Sequence, residues 1–336
     1  MTLQIFWFCL IALLWAGYFV LEGFDFGVGM LLPFVPRDEH ERSILFRTIG
    51  PVWDGNEVWL VVAGGATFAA FPSWYATMFS GFYIALLLVL LFLMVRVVSF
   101  EWRGKSESSR WRSSWSYANA LASFGAPFIW GVALANLLHG VPLSSSGDYA
   151  GSFADLFSGY TVLAGVATVA VFAFHGAGYL TLRTQNGLRD RAQQAATRLA
   201  LPAAVTVGGF LVWTVFVASD RNHNSIAAPL VLALLAGAAL LVGIAGTFRR
   251  RSPIGFVFTA AGVALVVGTL FAGLYPRVLV SFPDFSNSLT VANSAAAHYT
   301  LGAMTVVAAI VTPIVLLYQG WTYYVFRARV TGDELA

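Results

Sequence analysis

The sequence predicts an all-α membrane protein that crosses the bilayer many times. Its 336 residues are 58% hydrophobic and only 10% charged, and the mean hydropathy is +0.75. Soluble domains carry about 25% charged residues. Apolar runs of the roughly 20 residues that a membrane helix needs recur along the chain. A transmembrane β-barrel would instead show short segments of alternating hydrophobicity.

The apolar runs predict nine membrane spans, separated by short polar connections. No connection is long enough to hold a separate soluble domain. The connection at residues 34–50 is charged, and we expect a short helix there at the membrane surface. The nine spans cover approximately residues 4–33, 51–71, 75–98, 115–139, 157–182, 198–218, 226–247, 254–274 and 297–326.

The basic residues alternate sharply between successive connections. Of the 19 Lys and Arg residues, 17 fall after spans one, three, five and seven or at the C-terminus. The other connections hold only Arg221 and Arg277. The positive-inside rule therefore predicts an N-terminus outside and a C-terminus in the cytoplasm. A wrong span count would have scrambled this alternation, which supports the count of nine.

Several classes of protein are excluded by the composition and the motifs. The single cysteine, Cys9, cannot form an internal disulfide or a cysteine-based metal or iron–sulfur site. The first apolar run lacks a basic leader and is too long for a cleavable signal peptide. No nucleotide-binding loop is present, and no nucleic-acid partner is expected. Gly23 and Gly27 do not follow a strand, and we interpret them as a close-packing face of the first helix.

Carboxylates occur inside two of the apolar runs. Asp54 and Glu57 lie on one face at the start of the second span, and residues 58–71 after them carry no charge. Glu22 and Asp25 lie in the first span, with Asp25 about 12 Å from its predicted cytoplasmic end. A carboxylate within a membrane helix costs about 2.5–3.5 kcal/mol on insertion scales. These groups therefore need compensation, either from a cation or from a proton.

The predicted topology brings these carboxylates to the level of Arg96, Glu101 and Lys105, where the third span ends. One interpretation is structural: Arg96 neutralises Asp25 or Asp54, and Glu101 pairs with Lys105 at the i,i+4 spacing. The other is a hydrated funnel for proton uptake. We favour the funnel because carboxylates outnumber the nearby bases, which leaves at least one free to titrate.

His175 is the only histidine in the interior of a predicted span, because His139 and His298 lie at span ends. Ligation of a haem by two imidazoles requires a second histidine at matching depth on a facing helix. We therefore predict that this chain ligates no haem and that His175 is a hydrogen-bonded packing residue. Trp59 follows Glu57 by two residues; it either contacts lipid or a partner, or lines a tunnel.

Four motifs carry a resemblance to a known family. They are residues 22–29 (EGFDFGVG), residues 50–60 (GPVWDGNEVWL) with Gly64, Gly65 and 71–72 (FP), Arg96 with 100–105 (FEWRGK), and residues 174–180 (FHGAGYL). Together with the nine-span layout, they resemble subunit II of the cytochrome bd quinol oxidases over essentially the whole chain.

The resemblance implies a fold of two four-helix bundles plus one extra helix. Here the bundles would be residues 1–140 and 141–274, followed by an external loop, the ninth helix and a cytoplasmic tail in 275–336. It also implies a complex in the bacterial plasma membrane that oxidises quinol and reduces O2 to water with cytoplasmic protons. Two haems b and one haem d would belong to the partner, subunit I. A small accessory subunit and a structural quinone occur in some members.

The resemblance also assigns roles to individual residues. Trp59 matches a residue that lines an oxygen tunnel. Glu101 stands where some relatives carry Asp. The proton route would comprise Asp25, Asp54, Arg96, Glu101 and Lys105, with Glu22 and Glu57 beside them. A stand-alone proton-coupled secondary transporter would use the same carboxylates, and Pro127 and Pro313 could break its helices. Nine spans, however, do not divide into the equal halves typical of transporters.

Overall fold

The computed structural model of the chain describes residues 2–223 and 225–330. The end of the predicted cytoplasmic tail, residues 331–336, lies outside the described residues. Helices account for most of the chain: α1 (Thr2–Leu31), α2 (Glu39–Ile49), α3 (Trp53–Ala70), α4 (Pro72–Gly81), α5 (Tyr83–Trp102), α6 (Ser109–His139), α7 (Gly159–Arg183), α8 (Asn186–Asn222), α9 (Ala227–Phe248), α10 (Ser252–Leu274) and α11 (His298–Val325).

Eight helices in the described ranges are long and apolar enough to cross a membrane: α1, α5 with the short turn that follows it, α6, α7, α8, α9, α10 and α11. The second predicted span corresponds to α3, which is not among them. Its first turns hold Asp54, Asn56 and Glu57, and these residues lower its mean hydropathy. The count of nine spans therefore stays a prediction.

Three predicted boundaries are wrong. The fourth span was expected to begin at residue 115, but α6 begins at Ser109. The third span was expected to be continuous over residues 75–98, but the chain forms two helices, α4 and α5, which meet at Phe82. The sixth span was expected to begin at residue 198, but α8 begins at Asn186. Leu188, Ala192 and Ala196 recur every four residues and are buried, so they continue the packed face of the helix beyond the apolar run.

The expected short helix in the first connection is confirmed as α2. Asp38 caps it, because its side-chain oxygen accepts a hydrogen bond of 2.8 Å from the backbone N–H of Glu41. Asp38, Glu39 and Glu41 also place negative charge at the helix N-terminus, where the helix dipole favours it.

The helices from α7 to α10 close a ring, in which each packs on the next and α10 packs on α7. Helix α1 packs on α3 and α6 and also on α7 and α10, so it is central to the molecule. Helix α5 packs on α6, and α11 lies against α1 and α3. Only 6% of the most apolar stretch of α11 is buried in this chain, so most of the helix surface faces outward.

Glycine allows α1 and α7 to approach each other closely. A Cβ atom on Gly27 would lie 2.0 Å from the carbonyl oxygen of Phe172, and one on Gly176 would lie 2.4 Å from the carbonyl carbon of Gly27. A Cβ atom on Gly23 would lie 2.8 Å from the Phe172 ring. The interpretation of Gly23 and Gly27 as a close-packing face is therefore confirmed.

The predicted external connections form an ordered cap over the ends of α6 and α10. Strand β1 (Arg277–Leu279) pairs antiparallel with β2 (Leu289–Thr290). The backbone N–H of Val280 donates to Leu137 at 2.9 Å, which joins the cap to α6. Burial, together with the nearby charge of Asp155, raises the pKa of Tyr149 to about 12. Its hydroxyl donates to the carbonyl oxygen of Ser152 at 2.6 Å.

Candidate functional site

Four polar side chains are buried together where α1, α3 and α5 meet. Glu22 and Asp25 come from α1, Asn56 from α3 and Arg96 from α5, and each is at most 1% exposed. Glu22 and Asp25 are three residues apart and so are neighbours on the surface of α1, but Glu22 contacts Arg96 of α5 and Asp25 contacts Asn56 of α3. We call Glu22, Asp25, Asn56 and Arg96 the buried polar cluster.

Glu22 forms an ion pair with the Arg96 guanidinium. The guanidinium also lies over the ring of Phe26, 4.1 Å from its centre. The expectation that Arg96 pairs with Asp25 or Asp54 is therefore wrong. Asp25 faces α3 instead, and Asp54 is exposed. Among the described residues, the second carboxylate oxygen of Glu22 and two of the Arg96 nitrogens have no hydrogen-bond partner.

Asp25 is held by Asn56 of α3. The Asn56 amide nitrogen donates to Oδ2 of Asp25 at 2.7 Å. The Asn56 carbonyl oxygen accepts from the Tyr323 hydroxyl at 2.7 Å and from the Gln319 amide at 3.2 Å, both on α11. Asn56 thus connects three helices. The other oxygen of Asp25, Oδ1, is buried and has no partner among the described residues.

Two further carboxyl groups, those of Glu57 and Asp54, lie between the buried polar cluster and the surface. Glu57 is half-buried and lies one turn along α3 from Asp54. Asp54 lies on the wall of a cavity of about 440 Å³ between α3 and α11. Among the described residues, Glu22 is the one of the three carboxyl groups of Glu22, Asp25 and Glu57 that forms an ion pair with Arg96.

Trp59 is a residue of α3 whose side chain contacts α1 and α11. Its indole N–H donates to the side-chain oxygen of Gln319 at 2.7 Å. Gly17 makes room for the ring, because a Cβ atom there would lie 2.4 Å from the indole. Trp59 borders two cavities, the one that Asp54 lines and a second of about 360 Å³ on the side of α1.

The structure does not bring Glu101 and Lys105 into the buried polar cluster. Both are exposed, five and nine residues beyond Arg96, which is about 8 and 13 Å along a helix. The α-helix also ends at Trp102 and continues as a tighter turn, so the expected i,i+4 geometry of this pair is interrupted. Nearby, Arg103 forms an ion pair with Glu39 of α2.

His175 packs between α1 and α10. Its Nε2 lies 3.2 Å from the carbonyl oxygen of Val20, to which it donates, and its ring stacks on Phe256 with centres 4.6 Å apart. The expectation of a hydrogen-bonded packing residue is confirmed. In the described part of the chain, no group of three or more His, Cys, Asp or Glu residues could hold a metal ion.

Three polar residues of this site escaped prediction: Asn56, Gln319 and Tyr323. A signal for two of them is present in the sequence. Asn56 lies between the two carboxylates of the second span, and Gln319 is the only amide or charged side chain in residues 299–326. An amide in such an apolar run indicates an interhelical hydrogen bond. Nothing in the sequence distinguishes Tyr323 from the neighbouring tyrosines.

Comparison with known proteins agrees with the resemblance seen in the motifs. The family model described as cytochrome bd terminal oxidase subunit II matches residues 3–326. The chain belongs to this family. The cytochrome bd ubiquinol oxidase subunit 2 of Bacillus subtilis is 40% identical over 331 residues, covering 98% of this chain and 97% of the relative. The cytochrome bd-I ubiquinol oxidase subunit 2 of Escherichia coli K12 is 36% identical over 366 residues, covering 99% and 97%.

A solved structure supports the fold. The bd oxidase from Geobacillus thermodenitrificans contains a chain that matches with a TM-score of 0.74 at 17% identity, covering 97% of both chains. As a cytochrome bd subunit II, this chain is a multi-pass membrane protein and one subunit of an oxidoreductase complex. The predicted family is confirmed, and the stand-alone transporter is not favoured.

Proposed function

We propose that this chain is the non-haem subunit of a membrane quinol:O2 oxidoreductase and that it supplies a cytoplasmic proton-uptake route. One observation carries the proposal: of Glu22, Asp25 and Glu57, only Glu22 forms an ion pair with Arg96 among the described residues, and Asp25 is fully buried against the neutral amide of Asn56. If all three were ionised, two charges would lack a partner in a low-dielectric region, which is costly. Binding a proton removes such a charge, so an excess of carboxyl groups suits proton transfer.

The proposed route begins at exposed Asp54, with Glu101 and Lys105 at its cytoplasmic mouth. Glu57 lies one turn along α3 from Asp54, and Asn56 holds Asp25 further inside. The ion pair of Glu22 and Arg96 forms the far side. The orientation in this proposal, with the N-terminus outside, rests on the alternation of basic residues.

We also propose that Trp59 lines an oxygen tunnel. The indole borders two cavities of about 440 and 360 Å³, and most of the residues around them are apolar. An apolar passage suits O2, which has no charge and little affinity for water. In this proposal the indole, which borders both cavities, sets the width of the passage between them.

The redox chemistry in this proposal belongs to the partner. Two haems b and one haem d would be ligated by subunit I, where quinol is oxidised and O2 reduced, and this chain would support that subunit. The proposal also includes a structural quinone and a small accessory subunit, but it assigns no residues of this chain to either. Helix α3 would be the second of nine spans. Residues 1–140 and residues 141–274 would each form a four-helix bundle. Residues 275–336 would contain the extra helix, α11.

The carboxylates provide the test. Asp25→Asn and Asp54→Asn should each lower quinol oxidase turnover of the assembled complex by at least about tenfold and leave the haem spectrum intact, because general acid–base groups contribute about 10²–10⁴-fold. Glu107→Gln, in the exposed segment after Lys105, is the matched control and should retain turnover. Wild-type turnover in assembled Asp25→Asn and Asp54→Asn would overturn the route. Loss of assembly would support structural pairing instead.

A further inference from the structure

A chain of hydrogen bonds runs from Trp59 through two amides to Asp25, and its direction can be read from the donors. The Trp59 indole N–H can only donate, so the oxygen of Gln319 must face it, as observed at 2.7 Å. The Gln319 amide nitrogen then points to Asn56, whose oxygen accepts at 3.2 Å. The Asn56 amide nitrogen is left to face Asp25, and it donates to Oδ2 at 2.7 Å.

This direction makes the two oxygens of Asp25 unequal. Oδ2 receives a fixed donor and serves as a hydrogen-bond acceptor. Oδ1 is buried without a partner among the described residues. A proton that Asp25 binds therefore sits on Oδ1, because Oδ2 already faces an N–H group.

Asn56 itself has no freedom to turn. It is fully buried, and its oxygen accepts from the Tyr323 hydroxyl as well as from Gln319. Its nitrogen also lies 3.4 Å from the carbonyl oxygen of Leu21. Rotating the amide would place its oxygen against the Asp25 carboxylate and its nitrogen against the Gln319 nitrogen, and both hydrogen bonds would be lost.

The same bonds attach α11, which has few other contacts within this chain. Nearly all of its apolar surface faces outward. Toward its other end, Trp7 of α1 donates to Thr305 at 3.0 Å. In a membrane, helices associate through close packing and interhelical hydrogen bonds, without a hydrophobic driving force between them. The position of α11 and the orientation of Asp25 are therefore linked through Asn56.

We propose that Asn56 is a positioning residue for proton transfer: oriented by Trp59, Gln319 and Tyr323, it holds Asp25 with Oδ1 free to exchange a proton. This assignment rests on the proposed function, in which Asp25 belongs to the proton route. It gives Trp59 a second role, because its indole N–H sets the direction in which the hydrogen bonds run from Trp59 to Asp25. It also makes α11 part of the proton route, although α11 contributes no carboxyl group in its described residues.

The test uses the assembled oxidase complex and two readouts. The first is the turnover of quinol oxidation. The second is the carboxyl C=O stretching band in redox-induced infrared difference spectra, assigned to Asp25 by its loss in Asp25→Asn. Tyr323→Phe removes one donor to Asn56 and keeps the ring. Tyr324→Phe, the same change at the next residue, is the matched control because this side chain lies outside the chain of hydrogen bonds and is 63% exposed.

We expect Asn56→Leu to shift the Asp25 band and to lower turnover by at least about tenfold. Tyr323→Phe should shift the band in the same direction and lower turnover by about two- to tenfold, the effect of one hydrogen bond. Tyr324→Phe should match the wild type in both readouts. Asp25→Asn combined with Asn56→Leu should be no slower than Asp25→Asn alone, because both changes act on one group.

An unshifted Asp25 band in assembled Asn56→Leu would overturn the proposal, since it would mean that Asn56 only packs. If Asn56→Leu does not assemble, Tyr323→Phe and Gln319→Leu decide the matter through the same band. Failure of the proposed function looks different: Asp25→Asn would then keep wild-type turnover, whereas a shifted band in Asn56→Leu would still show that Asn56 positions the carboxyl group.

Discussion

The contact between α9 and α10 and the region between α1, α3 and α5 are both interior, yet they are built differently. Helices α9 and α10 meet through small residues: a Cβ atom on Gly246 would lie only 2.8 Å from the backbone nitrogen of Gly255. The buried hydroxyl groups of Thr247 and Thr259 donate to carbonyl oxygens of their own helices, at 3.1 and 2.7 Å. The helix backbones therefore approach closely here, and both threonine hydroxyl groups have hydrogen-bond partners.

The region between α1, α3 and α5 has the opposite character. An apolar cavity of about 540 Å³ separates α3 from α5, and a Cβ atom on Gly64 or Gly65 would meet nothing within 4 Å. Polar groups here bond across helices, and several have no partner among the described residues. The difference fits the proposed function: the closely packed helices provide rigidity, and the loosely packed ones retain the space and charge that the proposed proton route and oxygen tunnel require.

The largest expected effect is on the buried ion pair. Arg96→Leu leaves Glu22 without its cation, and breaking a buried pair by removing one partner costs about 3–5 kcal/mol. Replacing both residues, as in Arg96→Leu with Glu22→Leu, should recover most of this loss. The free energy of unfolding can be measured by detergent titration in mixed micelles. A double variant as unstable as Arg96→Leu would show that the pair is not the main source of stability.

Close packing between α1 and α7 predicts the next effect. Gly176→Ala places a methyl group 2.4 Å from the backbone of Gly27, and overpacking of this kind costs about 1–3 kcal/mol or more. Gly178→Ala is the matched control on the same helix, because a Cβ atom there meets nothing within 4 Å. The comparison would fail if thermal unfolding of the purified complex gave the same midpoint for both variants.

The smallest effect concerns the space beside α3. Gly64→Ala should be neutral or stabilise the protein by up to about 1 kcal/mol, because alanine favours the helix and the added methyl group enters the cavity. Gly237→Ala on α9, also without neighbours within 4 Å, isolates the contribution of helix propensity. The same titration measures both. A clear loss of stability in Gly64→Ala alone would mean that the cavity is filled in the assembled complex.

Much of this molecule could be predicted from short stretches of its sequence. The class of fold, the close-packing glycines of α1 and the packing role of His175 followed from composition and residue patterns, and the family followed from the resemblance of four motifs to known members. The boundaries at Phe82 and Asn186 did not, because helix ends within a bundle depend on neighbouring contacts.

The pairing of polar groups was decided by the tertiary structure. The sequence by itself determined that Glu22, Asp25, Asn56 and Arg96 lie in or beside apolar runs, because length and hydropathy dictate which segments form membrane helices. It did not determine which of them meet. Glu22 and Asp25 are about 60° apart around α1 and about 4.5 Å apart along it, so the rotation and height of α1 decide which carboxyl group meets Arg96. That rotation is set by the packing of α1 on α3, α6, α7 and α10, which only the folded chain defines.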